Sequence, residues 1–163
     1  MTPIELTADN LQRNLGLLKM TLADFSDGDM LVRPCPGANH ALWQLGHLIV
    51  SEARMVGACR PEGGPELPAN LADKFNAKTA GINDAGAFLP KAKLLEILGD
   101  VRAATVKWVG GLKPEDLNRP GPERMKEIAP TVGHMVMLLS GHQLMHLGQM
   151  QVIRRKLGKP VLF

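Results

Sequence analysis

The histidines of this 163-residue chain are the residues best suited to carry chemistry. Two of them, His142 and His146, lie four positions apart in the run GHQLMHLGQ. On an α-helix this spacing places both imidazoles on one face, which is how a helix offers two nitrogen ligands to a metal ion. A third, His47, lies far upstream in LWQLGHLIVSE. A histidine from a second helix would complete a three-nitrogen site that keeps a position open for water or substrate.

The spacing of His142 and His146 by itself leaves two interpretations open. Buried imidazoles need polar partners, because an unsatisfied polar group costs about 1–3 kcal/mol. A shared metal ion would satisfy both rings, whereas hydrogen bonds within the core would leave them as structural residues. The same alternative applies to His47, which a hydrogen bond in the core would also explain.

Further polar and aromatic residues near these histidines are candidates for the pocket or for contacts behind the ligands: His40, Trp43, His134 and Gln149. His40 precedes His47, and His134 precedes His142, by about two helical turns, roughly 10 Å along the axis. We therefore expect both either behind the ligands or at the pocket mouth, rather than on the ion. Trp43 is expected mainly in the core. Gln149 either hydrogen-bonds a ligand or lies at the edge of the core.

Two familiar metal chemistries are disfavoured by the residues between the histidines. In zinc peptidases a glutamate follows the first histidine as general base, but Gln143 stands there and cannot take a proton. A di-iron bundle needs glutamates on several helices, but Glu52 is the only carboxylate between Asn39 and Cys59. No catalytic residue can be assigned from the sequence, so a bound metal would carry most of the activation.

Composition indicates one all-α domain over residues 1–163. The chain is 45% hydrophobic and 21% charged, with nine Met and no Tyr, which favours helix–helix packing over strands. A net charge of +3 and the absence of Tyr argue against nucleic-acid binding. No apolar run approaches the roughly 20 residues of a membrane span. Without a signal peptide, and with Cys35 and Cys59 in no disulfide or zinc spacing, we expect a cytoplasmic protein with reduced thiols.

Capping residues and helical periodicity predict four long helices. They begin at 2–3, Asn39, Pro90 and Thr131 and end near 24–27, Cys59, Gly110 and Gly158. Residues 60–88 are irregular, with a short helix expected around 71–78, and either form a lid over the site or only cross from one end of a bundle to the other. The predicted fold is an all-α, up-down four-helix bundle with one long crossover connection.

The motifs ALWQLGHL, GHQLMHLGQMQVIRRKLGKP, PGANHALW and TVGHMV resemble those of the DinB-like (YfiT-type) metal-binding four-helix bundles. The resemblance spans essentially the whole chain. It implies that His47, His142 and His146 bind one divalent metal ion, zinc or nickel, facing a cavity at one end of the bundle. It also implies a homodimer formed through helix faces. The damage-inducible name of the family does not imply DNA binding.

Characterised members of this family include S-transferases and isomerases that use low-molecular-weight thiols such as mycothiol, bacillithiol or glutathione. The resemblance therefore implies a metal-dependent thiol S-transferase, in which the ion ionises a thiol that attacks a small electrophile. Two other functions stay open: a non-catalytic metal-binding bundle in stress response, and a metal-dependent hydrolase of a small molecule.

Overall fold

The computed structural model describes residues 1–162, and its first helix begins as the sequence predicts. Helix α1 spans Pro3–Leu22. The hydroxyl of Thr2 accepts a hydrogen bond from the backbone N–H of Glu5 at 3.2 Å, and the Glu5 carboxylate accepts one from the Thr2 N–H at 2.7 Å. This capping box satisfies two backbone donors that no helical carbonyl can reach.

Helix α2, Ala41–Cys59, begins one residue later than predicted. Its N-cap is His40 rather than Asn39, because Nδ1 of His40 accepts a hydrogen bond from the N–H of Trp43 at 3.0 Å. The predicted cap at Asn39 is therefore wrong. The carbonyl of Asn39 instead accepts a hydrogen bond from the side chain of Gln44 at 2.6 Å.

Three further α-helices follow within the described residues: the short α3 (Leu71–Lys74), α4 (Lys91–Gly110) and α5 (Val132–Lys156). Pro90 is the N-cap of α4, and Thr131 caps α5 by accepting a hydrogen bond from the N–H of His134 at 3.4 Å. Gly158 follows α5 with φ of 67°, a conformation that a residue without a Cβ adopts readily. The predicted boundaries of the last two long helices are thereby confirmed within a few residues.

The long helices pack so that α1 and α2 each contact both α4 and α5. Ile4, near the start of α1, shares a core cluster with Val56, Val109 and Val132, which lie near the ends of α2 and α4 and at the start of α5. Helices α1 and α5 therefore run in one direction, and α2 and α4 in the other. Because α2 and α4 are parallel, the connection between them must traverse the bundle. The all-α bundle with one long crossover is confirmed.

The crossover, residues 60–90, packs along the first half of α2. Phe75 is buried and lies so close to Gly46 that a Cβ on Gly46 would be 2.2 Å from its ring. The indole N–H of Trp43 donates a hydrogen bond to the hydroxyl of Thr79 at 3.1 Å. These contacts dock the crossover on the helix that carries His47, with Trp43 between the two.

A buried polar network ties the four long helices together at mid-height. Arg102 on α4, only 1% exposed, donates hydrogen bonds to both carboxylate oxygens of Glu52 on α2, at 2.8 and 2.7 Å. It also donates to the Leu11 carbonyl on α1 and to the side-chain oxygen of Gln143 on α5. The amide of Gln143 donates in turn to the carbonyl of Asn14 on α1 at 2.6 Å. This anchoring sets the rotation of α5 at the residue next to His142.

Two smaller findings concern membrane-spanning helices and the state of the two cysteines. No helix within residues 1–162 combines the length and the apolar character needed to cross a membrane. Cys35 and Cys59 are both free thiols, the first exposed and the second partly buried. Burial raises the pKa of the Cys59 thiol, and the nearby Arg119 opposes this only in part, so the thiol stays protonated at neutral pH.

Candidate metal centre

The fold brings His47, His142 and His146 together between α2 and α5. The Nε2 atom of His142 lies 3.3 Å from Nε2 of His47 and 3.2 Å from Nε2 of His146. One nitrogen from each ring lies within 4.8 Å of the other two, and all three residues are at least partly withdrawn from solvent. Two helices that are about a hundred positions apart in the sequence thus bring three imidazole nitrogens close together.

The nitrogen spacing fits a single divalent ion. Ligands at 2.0–2.1 Å from zinc in a tetrahedral arrangement are about 3.3–3.4 Å apart. The two short Nε2 separations, 3.3 and 3.2 Å, are close to this value. A hydrogen bond can satisfy only one of these contacts at a time, because Nε2 of His142 carries either one proton or one lone pair. The three histidines can therefore hold a metal ion, which would satisfy every nitrogen at once.

The protonation state of the rings also suits a metal, which binds only neutral imidazole. Burial, with the neighbouring His142 and Arg54, lowers the pKa of His47 to about 4. Burial and the two other imidazoles lower the pKa of His146 to about 3. Burial likewise lowers the pKa of His142, although the carboxylate of Glu52 acts in the opposite direction. At neutral pH all three lone pairs are therefore available.

Gln44, one turn before His47, determines which nitrogen of His146 carries the proton. The amide of Gln44 donates to the Asn39 carbonyl, so its oxygen faces His146 and accepts from Nδ1 at 2.9 Å. With Nδ1 protonated, the lone pair of His146 is on Nε2, the nitrogen that faces the other two rings. A hydrogen bond of this kind behind a metal-binding histidine fixes the ring and raises its basicity.

The ring of His47 is held by two residues of its own helix. The indole of Trp43 stacks on it with 4.9 Å between ring centroids and 10° between planes. The hydroxyl of Ser51 lies 3.3 Å from Nε2 of His47. Trp43 is buried, so its expected place in the core is confirmed, and the same packing orients His47.

A cavity of about 310 Å³ opens beside the imidazoles in the groove between α2 and α5. Two of the three histidines, His47 and His142, form part of its wall, and Ser51 adds a hydroxyl. The remaining wall is apolar and comes from α2, α5 and the connection between α4 and α5: Met55, Met125, Ile128, Leu138 and Met145. No residue of the crossover lines this cavity, so among the described residues the crossover meets the site through Trp43 and is not its lid.

The structure places three of the candidate pocket residues elsewhere. Both ring nitrogens of His40 are occupied, one by the N–H of Trp43 and the other by the carbonyl of Ile82 at 3.0 Å. His134 is exposed in the first turn of α5 and lines a separate cavity with Ile4. Gln149 is exposed to solvent on α5 and does not line the cavity beside the histidines. None of the three lies in the site.

The sequence interpretation missed Gln44 and Ser51, although a local signal for both existed. They flank His47 at three residues before and four residues after, positions that share its face on a helix. Both are polar residues in a helix that is mostly apolar. The contributions of Met125 and Ile128 carried no such signal, because they come from the connection that precedes α5.

Comparisons with known proteins agree with this architecture. A family model described as the DinB superfamily matches residues 10–150. The fold is similar to a crystal structure of a conserved protein of locus from Enterococcus faecalis, with a TM-score of 0.72 and 17% sequence identity over 98% of this chain and 99% of that one. At that identity the likeness concerns the fold alone. No curated protein matches the chain.

Proposed function

The chain belongs to the DinB superfamily, and on this premise we propose that it is a metal-dependent thiol S-transferase. In this proposal His47, His142 and His146 bind one divalent ion, zinc or nickel, and a low-molecular-weight thiol is the co-substrate. The observation that carries the proposal is the convergence of three neutral imidazole nitrogens beside an open cavity. Three-nitrogen sites with an open coordination position are typical of catalytic rather than structural metals.

When bound, the ion would supply a Lewis-acidic position at which a thiol ionises at neutral pH. The protein's own side chains supply the setting. Gln44 and Trp43 hold His146 and His47 in the orientation that directs their lone pairs to the ion. Ser51 offers a hydroxyl at the same place, suited to hydrogen-bond a bound sulfur or oxygen.

No carboxylate lines the cavity among the described residues, so the chain offers no general base of its own there. The thiol proton leaves to solvent through the open side of the cavity. Once an electrophile occupies the cavity, its body and the apolar wall together would displace water from around the attacking sulfur, which favours nucleophilic attack. The same wall favours small-molecule chemistry over simple sequestration of metal, for which no cavity is needed.

We also propose that the protein is a homodimer through α5. Met137, Leu144 and Val152 on this helix are exposed by 69, 42 and 48%. With Gly141 and Gly148 between them, they form one stripe at helical spacing. Small residues within an apolar stripe allow two helices to approach closely, and a second copy would cover the stripe. The molar mass measured by light scattering tests this, with Leu144→Glu expected to give monomers.

Metal content tests the proposed site. Wild type, His142→Ala and His134→Ala are expressed without a histidine tag, and bound metals are quantified by plasma mass spectrometry after reconstitution with zinc or nickel. We expect about one ion per chain in wild type and in His134→Ala, since His134 is exposed and outside the site, and a loss in His142→Ala. Equal, negligible metal in all three would refute the site.

Activity is tested with the loaded protein. Mycothiol, bacillithiol, glutathione and cysteine are each offered with monochlorobimane, a generic uncharged electrophile. Metal-dependent conjugation with one thiol, absent in His142→Ala, would support the transferase. A loaded site with no conjugation for any thiol would favour the non-catalytic bundle, and hydrolysis of ester or amide probes would favour the hydrolase.

A further inference from the structure

The cavity beside the histidines has a wall that is almost entirely apolar, and no Asp, Glu, Lys or Arg among the described residues lines it. Its polar contributors in residues 1–162 are the hydroxyl of Ser51 and the imidazoles of His47 and His142. The five other lining side chains are aliphatic or thioether groups: Met55, Met125, Ile128, Leu138 and Met145.

The two charged groups that act electrostatically on these imidazoles, Arg54 and Glu52, lie outside this wall. Arg54 is exposed and acts on His47 only through its electrostatic field. Glu52 acts on His142, but its carboxylate is buried and occupied by Arg102 at 2.7 and 2.8 Å. Neither residue lines the cavity. A charged group at the end of the substrate body that points away from the ion would therefore lose hydration without gaining an ionic partner from the wall, which is unfavourable.

Two of the lining residues are exposed although they are large and apolar. Ile128 is 63% exposed and Met145 is 58% exposed, and they border the same opening. A single exposed apolar side chain is ordinary, but several around a concave opening are typical of a ligand-binding site. A bound apolar group would cover them together with the imidazoles.

The volume and the side-chain types limit the occupant further. A cavity of about 310 Å³ is at the lower end of the range for small-molecule sites, about 300–1,000 Å³. Three of its five apolar side chains are methionines, whose flexible thioethers adapt to occupants of different shape. The wall therefore suits a small apolar group and tolerates variation in its outline.

We infer that this cavity receives the uncharged, apolar body of the electrophilic substrate, with its reacting atom toward the imidazole nitrogens. The inference rests on the proposed function, because it takes the ion site as the place of reaction. It adds the substrate class: neutral electrophiles with a small alkyl or aryl body, in preference to electrophiles whose body is charged. The apolar surface of the cavity, rather than a specific hydrogen bond, distinguishes the neutral from the charged electrophiles.

The experiment uses 1-alkylimidazoles from methyl to hexyl as probes of the full-length protein loaded with cobalt(II). The probe nitrogen takes the open coordination position, which changes the visible spectrum of cobalt, and the alkyl tail reports on the cavity. Burial of each added methylene is expected to tighten binding by about fourfold until the cavity is filled. A tail of matched length that ends in a carboxylate is expected to lose that gain.

Met145→Ser and Met20→Ser form a matched pair of variants. Both methionines are exposed on long helices, but Met145 lines this cavity and Met20, on α1, does not. Met145→Ser is expected to weaken hexylimidazole about tenfold more than methylimidazole, whereas Met20→Ser leaves that ratio as in wild type. Ile128→Ser provides a second variant of the cavity wall. This residue lies on the connection before α5 and not on a helix that carries one of the three histidines.

The possible results separate the inference from the proposed function. If cobalt binds but the probe affinity is independent of tail length, or the carboxylate tail binds equally well, the inference is overturned and the metal site stands. If cobalt does not bind and wild type also fails to take up zinc and nickel, the proposed function fails and the inference fails with it. Equal effects of Met145→Ser and Met20→Ser would also overturn the inference.

Discussion

The side-chain oxygen of Gln44 accepts a hydrogen bond from Nδ1 of His146 at 2.9 Å, across the interface between α2 and α5. Gln44 is fully buried, and its amide is held by the Asn39 carbonyl at 2.6 Å. The orientation of one glutamine thus directs the lone pair of His146 toward His142. This hydrogen bond links the first turn of α2 to the imidazole of His146, about a hundred residues away in the sequence.

Replacing Gln44 by methionine should weaken metal binding without removing any ligand. Methionine matches the length of glutamine but cannot accept the proton of His146, so both tautomers of the ring become populated. Loss of such a contact typically costs about 10–100-fold in metal affinity. Competition with a chromophoric chelator measures the dissociation constant for zinc.

Gln44→Glu is the corresponding rescue, because its carboxylate still accepts from His146. We expect its zinc affinity to lie nearer to wild type than that of Gln44→Met, even though the contact with the Asn39 carbonyl is lost. If both variants lose stability equally and neither changes metal affinity, Gln44 is a packing residue only.

Removing one partner of the buried ion pair should destabilise the whole bundle. In Arg102→Met, Glu52 and Gln143 both lose a charged donor while staying buried. A single break of this type costs about 3–5 kcal/mol. Urea unfolding followed by circular dichroism gives the free energy of unfolding. The double variant Arg102→Met/Glu52→Leu should recover a substantial part of the loss, and a double variant no more stable than the single one would contradict this account.

Gly46→Ala should destabilise the docking of the crossover on α2. The added Cβ would lie 2.2 Å from the ring of Phe75, which is buried and has little room to move. Overpacking of this kind costs about 1–3 kcal/mol. Gly16→Ala is the matched control, since no described atom beyond its chain neighbours and its own helix backbone lies within 4 Å of its new Cβ, and it should stabilise α1 by about 0.5–1 kcal/mol. Thermal unfolding of the two variants should therefore shift in opposite directions.

Acid should remove the contribution of Asp24 to the free energy of unfolding. A hydrogen bond from the buried guanidinium of Arg154, aided by Lys159, lowers the pKa of Asp24 below its ordinary value near 3.9. A carboxylate whose pKa is lower in the folded state stabilises the protein above its unfolded pKa, and this stabilisation is lost as pH falls through the folded pKa. Asp24→Asn should therefore be less stable than wild type at neutral pH.

The deficit of Asp24→Asn should shrink as the pH falls below about 4, where wild-type Asp24 takes up its proton. Urea unfolding at several pH values measures this difference in the free energy of unfolding. Asp27→Asn, which removes an exposed carboxylate of the same loop, serves as the charge-matched control. A deficit for Asp24→Asn that is independent of pH would rule out the ion pair as its cause.

The sequence by itself determined the elements of this fold. Helix boundaries depend on nearby residues, such as the Thr2 and Glu5 capping box or the glycine after α5, so local patterns suffice to find them. The pairing of His142 with His146 is equally local, because one helical turn separates them. The long crossover was also foreseeable, since residues 60–88 are too irregular for a fifth long helix and too long for a tight turn.

Only the tertiary structure decided how these elements face one another. The meeting of His47 with His142 depends on the rotation of α2 and α5, which Arg102, Glu52 and Gln143 set through contacts between distant parts of the chain. Such contacts leave no periodic trace, because each residue is a single polar position on an apolar face. The apolar wall of the cavity is a further example, since it is assembled from two helices and a connection. Local propensity gives the helices, whereas packing over long sequence distances positions the site.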